Sequence, residues 1–89
     1  MKQVCRFLFD DDIESNLIEA EITQAILTAE DVFGQPKVRL SASYLVSKNK
    51  AVIDVTDEVG EHIARVFTGR MSRKVGQERF TVDRINSKD

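Results

Sequence analysis

The sequence is poor in the residues that form disulfides and metal centres. Cys5 is the only cysteine and His62 the only histidine among the 89 residues. A single cysteine cannot close an internal disulfide, and a zinc site of cysteine and histidine ligands needs more of these residues than the chain contains. The sequence therefore predicts neither feature, and we expect no bound cofactor. The missing disulfide is typical of proteins in a reducing cytoplasm.

Long hydrophobic segments are also absent. No unbroken apolar run exceeds four residues, whereas a membrane-spanning helix needs about 20. The first residues, Met1–Val4, show no basic segment followed by an apolar stretch and a cleavage site, so no secretory signal is predicted. We therefore expect a cytoplasmic protein that does not contact a membrane.

Glycine and proline are scarce, as in ordinary folded domains. The chain has four glycines and one proline, with 42% apolar and 31% charged residues, which is a globular composition. Its length predicts a single domain over residues 1–89. A domain of this size buries only about 60–65% of the surface that the unfolded chain exposes, so its core is small. Pairing of two copies would bury more surface, and we therefore expect a homodimer.

The periodicity of the apolar residues predicts four strands and two helices. Alternation with a period of two indicates a strand, whereas a period of 3.6 indicates a helix. The predicted strands cover residues 3–9, 37–47, 50–56 and 79–85, and the predicted helices cover residues 11–33 and 57–75. This βαββαβ order is typical of an α+β, ferredoxin-like two-layer sandwich, in which a four-stranded antiparallel sheet carries two helices on one face. Whether the second helix continues through Gly69 stays open.

Several residues mark the ends of the predicted helices. Asp11 and Glu14 have the spacing of a capping box at the start of the first helix. Gly34 and Pro36 predict the end of that helix, because glycine adopts positive φ and proline does not continue a helix. Thr56 is the predicted N-cap of the second helix.

One face of the predicted sheet has no helix over it. Cys5, Phe7 and Phe9 alternate onto the face that the helices cover. The residues predicted for the uncovered face are partly charged and partly apolar; they are Arg6, Leu8, Arg39, Ser41, Ser43, Val52, Asp54, Thr81 and Asp83. This mixed face is the surface on which we expect a ligand or a second subunit to bind.

The run of Asp10, Asp11 and Asp12 is the only dense carboxylate cluster in the sequence. Carboxylate oxygens are the ligands that Mg²⁺ prefers, so the cluster suggests a metal-dependent phosphodiesterase as one alternative. The other explanation is structural, because carboxylates stabilise the N-terminus of a helix. The turn that would have to supply further acids is Lys48-Asn49-Lys50, which favours the structural explanation.

Charge is unevenly distributed along the chain. Residues 1–34 have a net charge of −6, residues 35–64 are neutral, and residues 65–89 have a net charge of +4. Such asymmetry indicates either a basic binding patch or an acidic and a basic helix that lie side by side. The basic residues that could bind a phosphate are Arg65, Arg70, Arg73, Lys74 and Arg79. Nucleic-acid binding is not expected, because the strand from Ala51 to Val55 offers no aromatic side chain for base stacking and the isoelectric point is about 5.4.

The sequence contains no recognisable catalytic constellation. His62 has only Glu58 as a local partner, and Cys5 alternates with two phenylalanines as a buried apolar residue would. We therefore predict a non-catalytic binding or assembly module that acts as a homodimer through the open sheet face or an edge strand. One alternative is a regulatory domain that binds a small polar metabolite through Arg6, Arg39, Asp54 or Asp83. The other is the metal-dependent phosphodiesterase.

Overall fold

The computed structural model describes residues 2–87. It contains, in chain order, β1 (Lys2–Phe9), α1 (Ser15–Phe33), α2 (Gln35–Ser41), β2 (Tyr44–Ser47), β3 (Lys50–Asp54), α3 (Glu58–Val75), a 3₁₀ turn (Gln77–Arg79) and β4 (Phe80–Ser87). The four strands form one open sheet in the order β2-β3-β1-β4, and every neighbouring pair is antiparallel. The architecture is therefore α+β, with a four-stranded antiparallel sheet and three α-helices.

The core lies between the helices and one face of the sheet. Cys5, Phe7 and Phe9 of β1 are buried on this face, as their alternation predicts. The ring of Phe67 on α3 meets Phe7 edge-on, with 4.9 Å between the ring centroids. Ile18 on α1 is also fully buried. The central strand β1 thus supplies the aromatic side chains against which the helices pack.

The segment before β2 differs from the prediction. Residues 37–47 were expected to form one strand, but the first part of this segment is α2 and only Tyr44–Ser47 is a strand. Gly34, with φ of 91°, ends α1, and Pro36 lies in the first turn of α2, where its missing N–H is harmless. Val38 is fully buried while Leu40 is 90% exposed. The alternation of apolar residues here does not reflect alternating burial.

The start of α1 also differs from the prediction. The helix begins at Ser15 rather than at residue 11, and Glu14 is its N-cap without a side-chain hydrogen bond. The predicted capping box is therefore wrong. The Asp11 carboxylate instead accepts a hydrogen bond from Asn49 Nδ2, at 2.9 Å.

Helix α3 is continuous and is capped by a different residue from the one predicted. Asp57, not Thr56, is the N-cap, and its Oδ1 accepts a hydrogen bond from the backbone N–H of Gly60 at 3.0 Å. The Thr56 hydroxyl instead accepts a hydrogen bond from the backbone N–H of Gln3 at 3.1 Å. The helix passes through Gly69 without a break.

Part of the charge asymmetry of the sequence is explained by a contact between an acidic helix and a basic helix. Glu21 of α1 is 6% exposed and accepts a hydrogen bond from Arg70 Nε of α3 at 2.6 Å. Lys74 Nζ lies 3.8 Å from the same carboxylate. The acidic first helix and the basic end of α3 therefore lie side by side, and the buried carboxylate has the partners that it requires.

A substitution at Gly60 tests how closely α3 approaches the sheet. A Cβ atom at this position would lie 1.9 Å from the backbone oxygen of Asp54, so the helix must move away from β3 to make room. We expect Gly60→Ala to lower the free energy of unfolding by about 1–3 kcal/mol, measured by urea denaturation.

The matched control is Gly69→Ala in the same helix. The nearest atom to a Cβ there is Arg73 Nη1 at 3.5 Å, an ordinary contact. This variant is expected to raise the free energy of unfolding by about 0.5–1 kcal/mol, since glycine weakens helix interiors. Equal effects of the two substitutions would contradict the close approach.

Candidate functional site: the open sheet face

The pairing of the strands fixes which side chains share the face away from the helices. Successive residues of a strand point to opposite faces, and directly paired residues share one face. Three rows of side chains, and Lys2 at the start of β1, therefore lie on this face. The rows are the middle row of Leu45, Val52, Arg6 and Asp83, a second row of Asp54, Val4 and Ile85, and a third row of Ser47, Lys50, Leu8 and Thr81. We call these eleven residues and Lys2 the open face.

The open face carries apolar side chains that no helix of residues 2–87 covers. Leu45 is 68% exposed and Leu8 is 41% exposed. Val4, Val52 and Ile85 are half-buried by their neighbours on the sheet. Clustered exposed apolar residues with charged neighbours are typical of interaction surfaces.

The open face carries three cations, Lys2, Arg6 and Lys50, and two anions, Asp54 and Asp83. Arg6 Nη2 lies 3.2 Å from Asp83 Oδ2, and these two residues form an ion pair across β1 and β4. Lys50 is exposed and makes no ion pair with another residue of the described chain. Asp54 Oδ1 accepts a hydrogen bond from the backbone N–H of Thr56 at 2.9 Å. Partial burial raises the pKa of Asp54, but the hydrogen bonds from Thr56 outweigh it and hold the pKa below its ordinary value.

Three of the four residues predicted to bind a ligand lie on this face. Arg6, Asp54 and Asp83 are there, as the period of two predicts. Arg39 is not, because it lies on α2, where it is exposed. The sequence prediction of the site omitted Lys50 and Leu45, although both follow from the same alternation.

A shallow groove marks one side of the open face. Its volume is about 210 Å³, which is below the roughly 300 Å³ at which small-molecule pockets begin. The residues that line it are Lys2, Val4, Ser43, Tyr44, Leu45, Val52 and Asp54. The groove thus combines a cation, a carboxylate and apolar side chains beside the edge strand β2.

The three consecutive aspartates hold the end of the sheet together. Asp10 Oδ2 accepts a hydrogen bond from Arg79 Nε at 2.8 Å, and Arg79 Nη2 donates to Asp12. Asn49, with φ of 48° in the turn between β2 and β3, donates to Asp11 and to the backbone oxygen of Phe9. Within residues 2–87, no group of three or more acidic, cysteine or histidine side chains is arranged to hold a metal ion.

The basic residues near the end of the chain do not form one patch. Arg79 pairs with the aspartates, Arg70 pairs with Glu21, and Arg65 Nε lies 3.7 Å from Glu61. Arg70, Arg73 and Lys74 line one groove of about 170 Å³ together with the buried Glu21. Arg65 and Arg79 lie at two other grooves, so three of the five cations are neighbours and two are not.

Cys5 lies on β1, on the face that the helices cover, and His62 lies on α3. Cys5 is 9% exposed, and burial raises the pKa of its thiol, although the nearby Arg84 opposes this effect. The His62 ring packs edge-on against Phe33, with 5.5 Å between centroids, and its Nε2 atom is buried without a hydrogen-bond partner among the described residues. A buried neutral thiol is a poor nucleophile.

Comparisons with known proteins do not add a function to this geometry. The sequence matches no protein-family model, and neither curated proteins nor solved structures gave a match. None of the helices in the part of the chain that the structure describes is long and apolar enough to cross a membrane.

The contacts of the aspartate run predict a specific loss of stability in acid. The hydrogen bond from Arg79 holds the pKa of Asp12 below its ordinary value of 3.8. Because the pKa is lower in the folded state, the stabilising contribution is complete above that ordinary value and is lost as the pH falls through the folded-state pKa. Asp54 contributes with the same sign.

Replacement of Arg79 tests this prediction. In Arg79→Met the pKa of Asp12 rises towards its ordinary value, so the free energy of unfolding is expected to fall less steeply below about pH 4 than in the wild type. Urea denaturation at a series of pH values measures the slope. The control is Arg73→Met, which removes an exposed cation that forms no ion pair within residues 2–87. This variant should retain the wild-type slope. A wild-type slope in Arg79→Met would contradict the assignment.

Proposed function

We propose that the protein is a non-catalytic binding or assembly module that acts as a homodimer through its open sheet face. The observation that carries the proposal is the apolar surface around Leu45 and Leu8, which lies on a face that no described helix covers. Burial of apolar surface contributes about 25 cal/mol per Å², so the contact of two such faces is favourable. A cytoplasmic location is part of this proposal and agrees with the single, buried Cys5.

The proposal includes a ferredoxin-like arrangement of the chain. Read from the opposite edge, the strand order is β4-β1-β3-β2. Each helical connection, from β1 to β2 and from β3 to β4, then joins two strands that are separated by one other strand, as in split βαβ units. Helix α2 is an addition to that plan. The fold alone does not assign a function, which has to come from the surface.

The charges of the open face favour a protein partner over a polyanion. Its three cations, Lys2, Arg6 and Lys50, face two anions, Asp54 and Asp83, so the net charge is only +1. A nucleic-acid surface requires a large excess of positive charge and aromatic side chains for stacking, and the open face has neither. A nearly neutral face with apolar residues is better suited to a second protein surface.

The groove beside β2 supports the second candidate, a regulatory domain that binds a small polar metabolite. Lys2 and Asp54 would supply charged contacts, and Val52 an apolar wall. Thermal-shift screening of polar metabolites against the wild type and Asp54→Asn would identify this activity. The phosphodiesterase is the less favoured alternative, because Arg79 and Asn49 already bind the three carboxylates that a metal would need.

Leu45 provides the test of the homodimer. We expect sedimentation velocity of the wild type at high micromolar concentration to show a dimer. In Leu45→Lys the dissociation constant should rise about tenfold or more, because an apolar contact worth at least roughly 1.4 kcal/mol is replaced by a charge.

The control is Leu27→Lys on α1. Leu27 is 48% exposed, comparable to Leu8, but it lies in the helical layer. The dimer should be unaffected by this change, and circular dichroism should show that both variants fold. A wild type that stays monomeric at the highest concentration would reject the homodimer.

A further inference from the structure

We infer that two copies of the chain pack open face to open face about a two-fold axis. This axis lies between the two sheets and parallel to them, and it crosses β3 at Val52 at a right angle to the strand. Lys50 of each copy then lies opposite Asp54 of the other. The inference rests on the proposed homodimer and adds to it the orientation of the partner and the residues that select it.

The charge pattern of β3 is antisymmetric about Val52. Lys50, Val52 and Asp54 are alternate residues of one strand, and all three side chains point to the open face. The two charges are about 13 Å apart, with the apolar residue midway between them. A strand of this kind is complementary to itself when the second copy runs in the opposite direction.

The same axis also matches the apolar residues of the open face. The middle row is superimposed on itself, so that Leu45 meets Leu45 and Val52 meets Val52 of the second copy. The two outer rows exchange places, which sets Val4 opposite Leu8. An interface in which each residue i contacts j and each j contacts i is the isologous type that closed dimers use.

Electrostatics favours this axis over a two-fold axis that runs parallel to β3. A two-fold axis parallel to β3 through Val52 would set Lys50 on Lys50 and Asp54 on Asp54. Like charges at such short range are unfavourable and select against that orientation. The chosen axis also sets Arg6 on Arg6 and Asp83 on Asp83 of the second copy, because both belong to the middle row. These two residues form an ion pair within each chain, at 3.2 Å, so each like charge keeps a partner of opposite sign beside it.

The size of the sheet sets the expected strength of the dimer. Four strands about 4.8 Å apart, with an average length of about 20 Å, give a face of roughly 400 Å² in projection. This is smaller than the roughly 800 Å² per partner of a standard stable interface. We therefore expect a dimer that forms reversibly, and measurements have to extend to high micromolar concentration.

Charge reversal at the two positions tests the axis. In Lys50→Glu and in Asp54→Lys alone, like charges meet at two places, and the dissociation constant should rise about tenfold or more relative to the wild type. When the two variants are mixed, both contacts join opposite charges. The mixture should therefore form a heterodimer with nearly the affinity of the wild type, detected by native mass spectrometry and sedimentation velocity.

Lys48→Glu is the matched control. It makes the same change of net charge in the turn beside β3, outside the strand and the open face. We expect Lys48→Glu to dimerise like the wild type. Dimers of Lys50→Glu as tight as those of Lys48→Glu would overturn the inference, and so would a mixture no tighter than either variant alone.

Salt dependence gives a second measurement that does not require the Asp54 variant to fold. Asp54 accepts a hydrogen bond from Thr56, so its replacement could destabilise the chain. Added salt should weaken the wild-type dimer and strengthen the residual Lys50→Glu dimer, because screening acts on attraction in one and on repulsion in the other. The same sign of salt effect in both proteins would overturn the axis. A wild type without any dimer rejects the proposed function itself, whereas a dimer that is insensitive to Lys50→Glu rejects only this orientation.

Discussion

The structure depends on a core that is built on one face of the sheet only. β1 lies in the middle of the sheet, paired with β3 on one side and β4 on the other. Its odd-numbered residues carry the aromatic rings that meet Phe67 of α3, with Phe7 at 4.9 Å. Because side chains alternate along a strand, the even-numbered residues Val4, Arg6 and Leu8 are placed on the other face. The open face is therefore a direct consequence of how the core is made.

Close contacts fix the positions of the helices relative to the sheet and to one another. Gly60 sets α3 directly on the backbone of Asp54, and the buried Glu21 joins α1 to α3 through Arg70. At one end of the sheet, Arg79, just before β4, donates a hydrogen bond to Asp10. Asn49, in the turn before β3, donates one to Asp11. Carboxylates thus pair with Arg65, Arg70, Lys74 and Arg79, which explains why the uneven charge distribution along the sequence does not produce one patch of all the basic residues.

Much of this fold could be predicted from local patterns, because those patterns report burial directly. The alternation of Cys5, Phe7 and Phe9 and the positive φ of Asn49 in the turn were both predictable. The helix α2 was not, because Val38 and Leu40 are equally apolar and only the tertiary structure decides that one is buried and the other 90% exposed. For the same reason Arg39 was placed on the open face, whereas Arg6, Asp54 and Asp83, on regular strands, were placed correctly.

The edges of the sheet are less suited to binding a second chain than the open face is. An exposed edge strand offers unpaired N–H and C=O groups to another chain, and proteins limit this by short or charged edges. Here β2 has only four residues, and β4 carries Asp83 and Arg84 side by side. Neither edge offers a long apolar strand to a partner. The open face, by contrast, has exposed apolar residues and opposite charges on either side of Val52, and the proposed dimer rests on this pattern.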